Sequence, residues 1–190
     1  MGLATQMLGW DEGFCGRLAS HGFHVIRFDN RDVGLSTHLS EAGVPDLGTL
    51  LADPVAGGAP YTLLDMAGDV VGLLDALGLE SAHVVGASMG GMIAQQLAVD
   101  PPERVRALVS LASTTGEPDL LAACDAVVAA LTAPSKEPRE DQMEADIAAR
   151  KLWANPEWFD IDQLRVFFTE LHQRAFVPGG GMRQLEAALR

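Results

Sequence analysis

The sequence predicts an α/β fold: a parallel sheet flanked by helices, followed by a purely helical region. Three observations predict it. Between residues 10 and 113, segments with strand character alternate with segments of helical period, the order that a parallel sheet with crossover helices requires. From Asp119 onward no strand pattern appears. The composition is 48% hydrophobic and 21% charged, with a mean hydropathy of +0.14, too apolar for a disordered chain. The length of 190 residues is that of one domain.

The elements follow in order. Trp10, Phe14, Leu18 and Ala19 fall on one helical face over residues 10–20, and Gly22 marks the stop. The run FHVIRFD at 23–29 has the β-branched and aromatic content of a buried strand. Residues 30–60 hold eight glycines and prolines and read as a long loop, with a short helix near 46–52. Thr62 and Asp65 match a capping box. Behind them Leu63, Met66, Ala67, Val70, Leu74 and Leu77 form one helical stripe, closed by Gly78. A short apolar strand at 82–86 and a helix at 89–99 come next, the helix ended by Asp100-Pro101-Pro102. A strand at 105–113 completes the alternation. Helices at 119–131, 138–153, 160–174 and 181–190 are broken by Pro134, Pro156 and the Pro178-Gly-Gly-Gly run.

Charge and cysteine content narrow the function classes. There are 13 basic and 26 acidic residues, a net charge of −13 and an isoelectric point near 4.6. Such a surface repels phosphate and disfavours nucleic acid or an anionic membrane as partner. Cys15 and Cys124 form no C-x-x-C pair, which argues against a zinc site or a disulfide scaffold. Both read as packed residues. No apolar run reaches membrane-spanning length, and the first residues lack the basic and apolar regions of a secretory signal. The expected setting is the cytoplasm.

The informative stretch is His83-Val-Val-Gly86-Ala-Ser88-Met89-Gly90-Gly91, a G-x-S-x-G between a strand and a helix. A turn this sharp forces Ser88 into a strained backbone and lifts its Oγ above the strand ends. Gly86 and Gly90 leave room for backbone that a side chain would block. The Met89 N–H, at a helix N-terminus, is placed to stabilise an oxyanion. The Leu3 N–H, in the loop Met1-Gly2-Leu3, is the candidate second donor; a frayed terminus is the plainer reading of that loop. A dinucleotide fingerprint does not fit, because Ser88 holds the second glycine position and no phosphate-loop lysine follows.

These segments resemble the α/β-hydrolase fold superfamily, in its serine esterase branch near aclacinomycin methylesterase and the proline-iminopeptidase-like hydrolases. MGLATQMLGW resembles the loop after strand three. HVIRFDNRDVGLSTH resembles strand four and its Asp29-x-Arg31-x-x-Gly34-x-Ser36 turn. The stretch from Tyr61 to Ala98 resembles the helix, strand five and nucleophile elbow, and RVRALVSLAST resembles strand six. The resemblance implies a partial α/β-hydrolase core over 1–116, with strands equivalent to four, five and six, and a helical cap-like region over 117–190. It implies an acyl-enzyme at Ser88, a small-molecule ester or amide as substrate, and no cofactor or metal.

The same resemblance requires an acid and a histidine later in the chain, after strands seven and eight. Neither strand is read here. The expectation is therefore that both ends of a longer hydrolase are absent and that this chain alone is inactive. Of the five histidines, His21 and His24 lie at the start of the expected strand four. His83 lies about 16 Å from Ser88 at roughly 3.3 Å per strand residue. His38 and His172 are the remaining candidates for a base, with Glu117 or Asp119 as possible acids; helix capping is the plainer role for Asp119. The alternatives to the esterase are a non-catalytic or partner-binding remnant and a cofactor-free haloperoxidase.

Substrate identity is barely legible. Trp153, Trp158, Phe159, Phe167, Phe168 and Phe176 can line an apolar acyl or polyketide-like pocket or form the cap's own core. Asp160, Asp162 and Glu170 can bind an amine or form a solvated acidic face.

Overall fold

A computed structural model describes residues 1–46, 48–49, 58, 60–117, 124–134, 136 and 139–189. Seven α-helices and two strands are assigned among them, with four short 3-10 turns. The expected helix near 46–52 and the start of the helix expected at 119–131 lie largely outside the described residues.

Helix α1 (Glu12–Ser20) opens on Asp11, whose carboxylate accepts from the Phe14 N–H. It buries no residue; Trp10 and Phe14 instead stack on each other, ring centres 5.7 Å apart. Helix α2 (Leu63–Ala76) begins with the expected capping box: Thr62 Oγ1 accepts from the Asp65 N–H, and Asp65 accepts from the Thr62 N–H. Its stripe buries Met66, Ala67 and Leu74. Strands β1 (Ala82–Ala87) and β2 (Val105–Leu111) pair in parallel, with Val84 beside Leu108 and Ala87 beside Leu111. Helix α3 (Met89–Val99) connects them and packs on both strands and on α2. Met89, Ile93 and Leu97 of α3 join Tyr61, Met66, Ala67 and Ala187 in the main core cluster.

The strand expected over 23–29 does not form. Strands exist by laddering, and the sheet of the described residues is two-stranded. The one backbone bond found within this stretch joins the Phe23 N–H to the Leu18 carbonyl. Phe23 and Ile26 are exposed, and Phe23 meets the His83 ring edge-on at 5.7 Å. Strand propensity is present here, but no neighbour completes a ladder.

The later helices are α4 (Asp125–Leu131), α5 (Arg139–Arg150), α6 (Ile161–Arg174) and α7 (Gly180–Ala188). α5 and α6 pair around Ile147, Phe168 and Leu171, with Leu8 from the N-terminal segment against them. Helix α7 behaves differently: Met182, Arg183, Gln184, Glu186 and Ala187 are all buried, and Ala187 belongs to the main core.

Two aspartates tie this assembly together. Asp32, with φ +66°, accepts from Arg183 Nε and Nη2 at 2.8 and 2.7 Å, from Tyr61 O–H at 2.8 Å and from the Leu39 N–H at 2.8 Å. Both ionic side chains are at most 1% exposed. Asp29 accepts from the Met7 and Leu35 N–H groups and pairs with Arg174 at 2.7 Å. Burial alone would raise both carboxyls, but these donors outweigh it and hold them below the ordinary carboxylate value. Burial and the adjacent Asp32 push the Tyr61 hydroxyl up.

Removing one member of a buried pair strands its partner's charge. Asp32→Ala is therefore expected to cost about 3 to 5 kcal/mol in urea unfolding; a loss near zero would refute the pairing as a determinant of stability. The depressed carboxyls also set a pH dependence. Their unfolded forms take up protons near pH 4, while the folded forms resist until lower pH. Their stabilisation is thus complete above about pH 4 and is lost as pH falls further. The urea midpoint should hold from pH 7 to 5 and drop below about pH 4.

Candidate active site

β1 ends at Ala87 and α3 begins at Met89, so a single residue, Ser88, makes the turn. Its backbone lies at φ +54°, ψ −125°, a conformation that L-residues avoid and that costs of order 1–3 kcal/mol. Three bonds fix it there. The Ser88 N–H donates to the Leu111 carbonyl of β2 at 2.9 Å, and the Ser88 carbonyl accepts from the Gly91 and Met92 N–H groups at 2.8 and 3.2 Å. The residue is exposed, whereas Met89 and Gly90 behind it are buried.

The two glycines have steric reasons. A Cβ on Gly86 would overlap the Gly90 carbonyl, and one on Gly90 would sit 2.5 Å from the Met1 carbonyl oxygen. The turn is therefore packed against the N-terminal loop. A Cβ on Gly2 would lie 3.2 Å from Ser88 Cβ and 3.6 Å from Ser88 Oγ, so that loop runs directly beside the serine.

Met89 is the first residue of α3, where an N–H has no carbonyl one turn back. The Leu3 N–H likewise makes no hydrogen bond among the described residues. Its neighbours hold the loop in shape: the Ala4 N–H donates to Gln184 Oε1 at 2.8 Å, and the Thr5 N–H to the Gly2 carbonyl at 3.2 Å. Gln6, buried, donates from Nε2 to the Leu171 and Ala175 carbonyls at 2.7 and 3.0 Å and accepts from Arg174 at 2.6 Å.

None of the five histidines hydrogen-bonds Ser88. His21 Nδ1 contacts the Arg17 carbonyl, His38 Nε2 the Gly34 carbonyl, and His172 Nε2 the Asp146 carboxylate. His83 meets Phe23, and His24 is exposed. Glu117 is exposed, and Asp119 lies outside the described residues. Among the described residues no cluster of ligand-type side chains can hold a metal ion, and no helix is long and apolar enough to cross a membrane. Cys124, read from sequence as packed, is exposed; an N-cap position just before α4 places it at the surface.

A cavity of about 220 Å³ lies where this loop meets α5 and α6, and Leu3, Ala4, Trp153, Phe168 and Phe176 line it. Phe167 instead packs within the α5–α6 cluster, and Trp158 is exposed. Asp160 caps α6 by accepting from the Asp162 and Gln163 N–H groups, which accounts for it without a ligand. The His172–Asp146 pair at 3.0 Å joins α6 to α5 across 26 positions, a separation no local motif announces.

A family model described as the alpha/beta hydrolase fold matches residues 2–159. Among curated proteins, rhodomycin D methylesterase DauP of Streptomyces sp. (strain C5) is 38% identical over 99 residues, covering 52% of this chain and 28% of that protein. The chain thus spans under a third of the curated relatives it first matches. Among solved structures, a meta-cleavage product hydrolase from Pseudomonas fluorescens IP01 gives a TM-score of 0.69 at 17% identity, covering 99% of this chain and 62% of that one. An enol-lactonase from Burkholderia xenovorans LB400 gives 0.59 at 21% identity, covering 99% and 62%. At these identities the structural matches speak for the fold.

If Ser88 carries backbone strain, a residue without a Cβ should release it. Ser88→Gly is expected to stabilise the chain by about 1 kcal/mol in urea unfolding. A destabilised variant would show that the turn is unstrained.

Proposed function

The chain belongs to the alpha/beta hydrolase fold family, and on that premise we propose that the protein carrying it is a serine hydrolase of carboxylesterase type, with Ser88 as nucleophile. One observation carries the reading: an exposed serine, alone between a strand and a helix, is held at φ +54° with the N-terminal loop against it. No packing role requires a serine in that strained position.

In this mechanism Ser88 Oγ attacks the ester carbonyl, its proton passes to a base, and the carbonyl oxygen gains charge. The Met89 N–H at the start of α3 and the Leu3 N–H stabilise that oxyanion; each such donor is worth about 3 kcal/mol of barrier. Collapse expels the alcohol and leaves an acyl-Ser88, which water then cleaves. Gly86 and Gly90 keep the turn tight enough for this geometry. The cavity between the N-terminal loop and α6 receives part of a small ester, in keeping with the methylesterase match.

We assign the base to a residue other than these five histidines: none of them hydrogen-bonds Ser88, and His21, His38 and His172 make their polar contacts elsewhere. The 190-residue chain on its own is therefore expected to show no Ser88-dependent turnover of p-nitrophenyl butyrate. The complete protein should turn it over, and Ser88→Ala should lower its kcat by about 10⁴-fold or more. Wild-type rates in that variant would overturn the nucleophile assignment. Ser88-dependent turnover by the 190 residues alone would place the base within them.

A further inference from the structure

The pair His172–Asp146 faces the cavity between the N-terminal loop and helices α5 and α6, and it has an unfinished hydrogen-bond account. Both oxygens of Asp146 are engaged: Oδ1 accepts from Gln142 Nε2 at 2.7 Å and Oδ2 from His172 Nε2 at 3.0 Å. Gln142 is itself held by the Lys136 N–H, which donates to its Oε1 at 2.6 Å. A carboxylate only accepts, so the Nε2 position of His172 carries the proton. In the neutral ring Nδ1 is then an acceptor. It is buried, on a residue only 8% exposed, and has no hydrogen-bond partner among the described residues.

A buried acceptor without a donor is costly in a folded chain, and here it belongs to a residue that lines the cavity. Both His172 and Asp146 line that space, and the rest of the wall mixes aromatic side chains, Trp153, Phe168 and Phe176, with polar ones such as Gln142 and Arg150. The volume is about 220 Å³, somewhat above the roughly 150 Å³ that holds a single benzene ring in an apolar cavity. Leu3 and Ala4, which line the cavity, follow in the chain directly after Gly2, the residue packed beside Ser88.

We propose that this cavity binds a one- or two-ring apolar ligand carrying a hydroxyl, and that His172 Nδ1 accepts the hydrogen bond from that hydroxyl. Asp146 is the positioning residue: it fixes which ring nitrogen is the acceptor. Phe176, whose ring centre lies 5.4 Å from the imidazole, stands on the connection after α6 and not within a helix. It is the neighbour that shifts to let the hydroxyl reach Nδ1. As a subsite for the substrate of Ser88 the assignment rests on the hydrolase reading; as a binding site for a phenol it does not.

The test uses the 190-residue chain and two probes of nearly equal shape, 2-naphthol and 2-methoxynaphthalene, titrated by calorimetry. The naphthol, which can donate, is expected to bind about fivefold tighter than the ether, as one hydrogen bond to a buried acceptor implies. His172→Phe should bind both alike. Equal binding of the two probes by the wild type, or tighter binding of the ether, would overturn the proposal, since the ring would then not be accepting. Where His172→Phe fails to fold, the wild-type imidazole nitrogen resonances decide instead: the Nδ1 signal should be that of an unprotonated nitrogen and should move with naphthol only. A Nδ1 that is protonated, or unmoved by naphthol, overturns it too. Ser88→Ala should leave the preference intact. A preference that persists while the complete protein shows no Ser88-dependent hydrolysis would sink the nucleophile reading and leave this site standing. Hydrolysis without the preference would sink only the site.

Discussion

The fold depends on one constraint above others: the loop after residue 28 must be anchored to a helix more than a hundred positions away. Asp32 and Arg183 supply that anchor, essentially sealed from water. Neither ion is tolerable alone in such a place. The pair is satisfied because Tyr61 and the Leu39 N–H take up the remaining acceptor capacity of Asp32, and the Gly43 carbonyl accepts from Arg183. Gln184, one residue along, donates to the Arg31 carbonyl and accepts from the Ala4 N–H. The N-terminal loop, the loop at 29–43 and helix α7 are therefore held by adjacent residues of a single helical turn. The loop beside Ser88 inherits its position from that turn.

The serine's own geometry illustrates how sheet and helix share a cost. A left-handed backbone at Ser88 is unfavourable locally. It persists because β2 accepts its N–H, α3 donates to its carbonyl, and two glycines let Gly90 and Met1 close on the turn. The surroundings are well packed, with Met89 and Ile93 in the main core. The strain of this turn is thus borne by the most regular part of the structure.

Much of this was legible in the sequence, for physical reasons that differ by element. Helix α2 was readable because its cap, its stripe and its terminating glycine all agree, and all are local. The turn at Ser88 was readable because glycines at 86 and 90 flank a serine between a strand and a helix. The run 23–29 misled because strand propensity describes a side-chain surface, while a strand needs a neighbour that propensity cannot see. Long-range polar partners left no trace. Nothing in the neighbourhood of Gln6 announces Leu171 and Ala175, and nothing near Asp146 announces His172. A buried glutamine or histidine looks in sequence like a solvated one. The family turn containing Asp29 and Arg31 was visible, but not that Asp29 would meet Arg174.

The sheet has one more consequence. Leu108, Val109 and Leu111 of β2 are exposed, and among the described residues β2 has a single ladder neighbour. An open apolar edge of this kind is a template for another chain. What opposes it is long-range repulsion, since every copy carries a net charge of −13. That repulsion shrinks with ionic strength, as the screening length falls to about 3 Å in molar salt, and it vanishes near the isoelectric point. Colloidal behaviour is therefore governed by the acidic surface as much as by the core: dilute buffer well above pH 4.6 keeps the strands apart, and salt or mild acid brings them together before the fold itself gives way.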